Sequence, residues 1–125
     1  MFSKKILLFS AIFLMSLQVA FAQSYTYKGT IGTVKISLNL TTEWKDYMTT
    51  YSGSYYYDNV GKELSLRGLW LQRMDTIELV EVSDEAITGF FSLKMDAKAG
   101  YDILTGTWTD LKKKKTFSVR LQKQP

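Results

Sequence analysis

Tyr51-Ser52-Gly53-Ser54-Tyr55-Tyr56-Tyr57-Asp58-Asn59-Val60-Gly61-Lys62-Glu63-Leu64-Ser65-Leu66-Arg67-Gly68-Leu69-Trp70 reads as two strands and the turn between them. Side chains at i and i+2 share one face of a strand, so Tyr51, Gly53, Tyr55 and Tyr57 form one apolar face, and Leu64, Leu66, Gly68 and Trp70 form the next. Asp58 to Gly61 has the composition of a four-residue hairpin loop. That length sets Tyr51 opposite Gly68 and Gly53 opposite Leu66, each glycine facing a large side chain. The same device recurs in Gly29-Thr30-Ile31, Gly89-Phe90-Phe91 and Gly106-Thr107-Trp108. A vacancy beside a bulky group on one face is how a tightly curved sheet or small barrel fills its inside; glycine costs conformational entropy, so its repetition needs a packing reason.

Alternation continues on both sides of this hairpin. Tyr25, Tyr27, Gly29 and Ile31 make the inner face of a first strand, and the parity changes at Gly32 through a turn or bulge. Val34, Ile36, Leu38 and Leu40 then point inward with Lys35, Ser37 and Asn39 outward, and a polar loop around Thr41 to Asp46 follows. Later inner faces are Ile77 and Leu79, then Ile87, Gly89, Phe91, Leu93 and Met95, then Leu104, Gly106 and Trp108, then Phe117, Val119 and Leu121. Turns fall at Ser83-Asp84-Glu85 and at Asp96 to Gly100. Eight such strands predict an all-β, up-and-down antiparallel meander closing into a small barrel, its interior either filled or holding one small ligand. A two-sheet β-sandwich is the alternative, because pairing of the first strand with the eighth cannot be read from the sequence.

The N-terminus reads as an address. Lys4 and Lys5 precede an apolar run from Ile6 to Leu17, and Ala20-Phe21-Ala22 has the small-x-small form of a cleavage site. The expectation is a signal peptide over residues 1–22 and a single barrel domain over 23–125, periplasmic or secreted, with no transmembrane segment after cleavage. Two of the sixteen basic residues leave with that segment, so fourteen face twelve acidic ones. Four of the fourteen are Lys112 to Lys115, so the basic balance is one local cluster and nucleic acid is not the expected partner. The chain has no cysteine and no histidine, which removes disulfides, thiol chemistry, histidine triads and His-ligated zinc. Asp58, Asp84, Glu85 and Asp96 fall in turns, where solvated carboxylates are ordinary, so no catalytic group, metal site or cofactor is assigned.

Three features have a binding reading. Lys112, Lys113, Lys114 and Lys115 between the last two strands either grip an acidic partner or form a solvated hairpin tip. Tyr56, Leu69, Leu71, Val80 and Phe90 fall on the outward parity, as a partner or dimer patch or as a face covered by other structure. Trp44, Tyr47 and Met48, in the loop between the second and third strands, either contact a ligand or plug one end of the barrel.

Lys28-Gly29-Thr30-Ile31-Gly32, Gly53-Ser54-Tyr55-Tyr56-Tyr57-Asp58 with Gly61-Lys62 and Leu64-Ser65-Leu66, and Thr105-Gly106-Thr107-Trp108-Thr109 resemble small exported proteins of Gram-negative bacteria, many of the Bacteroidetes group. The resemblance covers most of the chain after residue 22 and rests on turn and strand signatures that bring no catalytic residues. It departs where such proteins show a Pro-Asp-Gly turn after the Gly-x-Trp strand; Asp110-Leu111 and the lysine run stand here instead. Ser52-Gly53-Ser54-Tyr55-Tyr56 is also similar to the Ser-Gly-x-x-Tyr string of periplasmic lysozyme inhibitors, which implies Ser52 and Tyr56 as contact residues. Lipocalins and avidins are similar in strand number and in the Gly-x-Trp habit. The function expected is non-catalytic: a binding or interaction protein of the bacterial envelope for a protein or small apolar ligand, monomeric or weakly dimeric. The alternatives are a hydrolase inhibitor and a structural envelope protein.

Overall fold

Alternating apolar and polar side chains become eight antiparallel strands in the computed structural model, which describes residues 21–125. They are β1 (Phe21–Ile31), β2 (Val34–Lys45), β3 (Met48–Tyr57), β4 (Leu64–Leu71), β5 (Thr76–Ser83), β6 (Ala86–Asp96), β7 (Gly100–Asp110) and β8 (Lys115–Lys123). Each pairs with the next, and β1 pairs with β8 from Tyr27 opposite Lys123 to Ile31 opposite Val119, closing the barrel. Pairing of the first strand with the last closes the sheet on itself, which excludes the sandwich. Residues 1–20, most of the expected signal segment, lie outside the described residues; Phe21 and Ala22 pair with Trp44 and Glu43 at the start of β1.

The inside is filled. Among the described residues, the largest side chains exposed by less than 2 % include Tyr27, Tyr55, Phe91, Leu38, Leu66 and Leu104. Burial of this kind stabilises by about 1.5–3 kcal/mol per large apolar side chain. Along β2, Ile36, Leu38 and Leu40 are buried while Lys35 and Asn39 are exposed. Among the described residues there is no helix long and apolar enough to cross a membrane.

The β3–β4 register is the one the turn composition implies, with Tyr51 opposite Gly68 and Gly53 opposite Leu66. The reason for the glycines is different. A Cβ on Gly68 would overlap the backbone carbonyl of Glu78, and one on Gly53 that of Asn39, so these glycines let neighbouring backbones close together as the sheet bends.

Four expectations are corrected. Thr41 to Lys45 is not a loop: β2 continues to Lys45, and the β2–β3 turn is only Asp46-Tyr47, both at positive φ (53° and 61°), as a two-residue primed hairpin turn requires. Ile87 is not inward. Thr88 is an extra residue between the pairs Glu81–Gly89 and Val82–Ile87, and that bulge flips Ile87 outward to 58 % exposure. Ser37, on the outward parity, is nevertheless buried, because its hydroxyl donates to Asp58 Oδ1 at 2.8 Å and the β3–β4 turn covers it. Val34 and Phe117, assigned inward, stand exposed at one rim of the barrel.

Candidate functional site

The barrel has two dissimilar ends. One carries the β2–β3, β4–β5 and β6–β7 turns and is closed by tyrosines. Tyr25 stacks on Tyr101 (ring centroids 5.8 Å apart, planes at 6°), Tyr27 donates its hydroxyl to the Tyr101 carbonyl at 2.9 Å, and the Tyr51 and Tyr101 hydroxyls lie 3.2 Å apart. The expected plug of Trp44, Tyr47 and Met48 is not that closure. Tyr47 is 95 % exposed at the hairpin tip, Trp44 and Met48 lie on exposed strand ends, and Trp44 meets Tyr47 edge to face at 6.1 Å.

The opposite end carries a surface cleft and is the candidate site. β1, β2, β3, β7 and β8 bring Ile31, Val34, Tyr57, Trp108 and Phe117 around a cleft of about 360 Å³, with Asp110 and Lys113 at its rim. Trp108 stacks on Phe117 with centroids 5.8 Å apart and planes at 29°. Inward parity places Trp108 and Phe117 side by side, since they are a β7–β8 cross-strand pair. The Asp110 carboxylate Oδ1 accepts the Lys112 and Lys113 amides at 2.9 and 3.0 Å and so holds the turn in which the lysines sit. Lys112, Lys113 and Lys114 are exposed in that turn, Lys115 opens β8, and Lys113 alone of the four reaches the cleft.

Beneath the cleft lies a group that the alternation left unassigned. Glu81, inward on β5 and 4 % exposed, accepts Trp108 Nε1–H at 3.2 Å, the Tyr55 hydroxyl, and Thr88 Oγ1–H at 2.6 Å. Three neutral donors surround a buried carboxylate that makes no ion pair among the described residues. Gly89, its cross-strand partner, makes room: a Cβ there would stand 2.8 Å from Trp108 Nε1 and 3.2 Å from Glu81 Oε2. Glu81 follows Ile77 and Leu79 at period two, which was the signal for it. Burial pushes the Tyr55 hydroxyl well above the usual phenol range, and the Glu81 carboxylate beside it adds to the shift.

The outward apolar residues separate. Leu69, Val80 and Phe90 come together with Arg67 and Glu78 along an outer groove of about 500 Å³ on β4, β5 and β6. Leu71 ends β4 opposite Thr76, and Tyr56 pairs with Ser37 away from the groove. Ser52 is exposed on the outer wall opposite Arg67, so the Ser52 and Tyr56 ends of the inhibitor-like string lie on a strand and not on a protruding loop. Among the described residues no cluster of acidic side chains fit to hold a metal ion is formed. Comparison of the chain with protein-family models, curated proteins and solved structures returns no match.

Proposed function

We propose that this chain is an exported, non-catalytic binding protein of the bacterial envelope that takes a small amphipathic anion at the mouth of the barrel. The observation that carries the reading is the convergence of Trp108, Phe117, Tyr57, Ile31 and Val34 on a solvent-open cleft beside an unpartnered lysine ammonium. A filled barrel leaves a ligand no room inside, while a cleft of this volume falls within the range of small-molecule sites. Asp110 is engaged by turn amides, whereas Lys113 has no ion pair among the described residues. The apolar wall therefore takes a ring or short chain, and Lys113 takes the negative group. Export rests on the basic-apolar-small N-terminal pattern.

Anilinonaphthalene sulfonate has this chemistry and serves as the probe. It should bind once per barrel and quench tryptophan fluorescence. Phe117→Ser should abolish binding, and Lys113→Glu should weaken it about fivefold or more, the scale of one exposed ion pair. Phe90→Ser on the outer wall should leave it unchanged. Full affinity in Phe117→Ser contradicts the proposal.

A further inference from the structure

The outer groove carries a charge pattern that the mouth reading does not use. Arg67 stands opposite Val80, and Leu69 opposite Glu78. These four outward side chains form a square with the charges on one diagonal and the apolar groups on the other; Phe90 flanks it opposite Val80. Val80 and Phe90 are 37 % and 40 % exposed on a barrel whose core is complete without them. One oxygen of the Glu78 carboxylate is closed off from solvent and has no donor. Arg67 is exposed and makes no ion pair: the one ion pair among the described residues joins Lys123 and Asp102 at 2.9 Å. Glu78 lies between Leu69 and Ser92 on the neighbouring strands, and a carboxylate oxygen shut off from solvent is costly until a donor reaches it; the guanidinium fork is the donor best matched to it.

We propose that this face is a two-fold interface with a second copy of the chain, in which Arg67 of each copy grips Glu78 of the other. A two-fold axis lying between two such faces and crossing the charged diagonal exchanges the two charges. The same operation sets Leu69 and Val80 against their own counterparts. Such an interface is isologous, so one patch supplies both halves of each ion pair. A foreign apolar segment with a single basic residue would answer Glu78 and leave Arg67 unmatched; a second copy answers both. The Glu78 carboxylate reaches the incoming fork by turning about its soft terminal torsion.

The test is light scattering on the full chain over rising concentration, with Arg67→Glu, Glu78→Arg and their mixture. The unaltered chain should dimerise. Each variant alone should be a folded monomer, its dimer weakened about 30-fold or more by like charges set face to face. An equimolar mixture should restore the dimer, because a mixed pair opposes two carboxylates on the Arg67→Glu copy to two guanidinium groups on the Glu78→Arg copy. A melting curve on each variant confirms the fold, which exposed outer-wall changes should preserve. A monomeric parent at all concentrations, dimeric single variants, or a mixture that stays monomeric each overturns the proposal. The mouth variant Phe117→Ser should dimerise normally, so this inference and the ligand reading fail separately.

Discussion

A methyl group on Gly68 has nowhere to go, because the carbonyl of Glu78 on the next strand already fills its place. Gly68→Ala should therefore cost about 2–3 kcal/mol, through displacement of a backbone and not of a side chain. Gly61 is the contrast: its φ of +75° favours glycine, but a Cβ there meets nothing within 4 Å. Gly61→Ala should cost about 1 kcal/mol, and urea unfolding of the two variants checks the order. The alternation located the first glycine and its large cross-strand neighbour correctly, but side-chain pairing does not report how closely two backbones approach. Glu81 was legible only as a parity. Nothing in the sequence says that Tyr55, Trp108 and Thr88 from three other strands would reach it. Glu81→Ala should leave the buried Tyr55 and Trp108 donors without their acceptor and destabilise by about 3 kcal/mol, with a shift in Trp108 emission.

Among the elements, the β2–β3 hairpin is held little by the core, with Trp44, Tyr47 and Met48 49 %, 95 % and 52 % exposed. Asp46 and Tyr47 both occupy the left-handed region, which a side chain such as tyrosine adopts at a cost, and Tyr47 buries almost nothing in return. Tyr47→Gly should raise stability by about 1 kcal/mol, read as a higher melting temperature. Trp44→Ala should change stability little, since the tyrosines at that end, and not the hairpin, close the barrel. This hairpin was hidden because Thr41, Thr42 and Glu43 are polar and no glycine or asparagine marks its turn. The β5–β6 bulge was hidden for a related reason: Ile87, Gly89 and Phe91 keep an unbroken period of two in the sequence, although the extra residue Thr88 turns Ile87 to the opposite face from Gly89.

For the molecule as a whole, the meander was legible because most hairpins are local events written in their own turns, as at Gly32, Asp58 to Gly61, Ser83 to Glu85 and Asp96 to Gly100. Closure was not, because β1 and β8 lie at opposite ends of the described chain. The filled interior has a consequence in alkali. Burial holds the Tyr27, Tyr51 and Tyr55 hydroxyls well above the usual phenol range; the Tyr101 hydrogen bond adds to this at Tyr51, and Glu81 adds to it at Tyr55. The unfolded chain releases these protons near pH 10 while the folded chain keeps them, so the unfolded state binds fewer protons above that pH and stability falls as pH rises. The contribution is complete below about pH 9 and declines above about pH 10, by roughly 1.4 kcal/mol per pH unit for each tyrosine. Urea midpoints should be flat across neutral pH and drop steeply in alkali, and a flat profile would show that these hydroxyls are open to solvent.

A barrel that is closed and full can hold a ligand only outside its core, and the mouth is the place proposed for it. A crystal of the chain soaked with a brominated naphthalene sulfonate locates that ligand by the anomalous signal of its bromine. The peak should lie beside Trp108 and Phe117, with the sulfonate toward Lys113. A peak inside the barrel among Leu38, Leu66 and Leu104 would contradict both the filled interior and the site at the mouth.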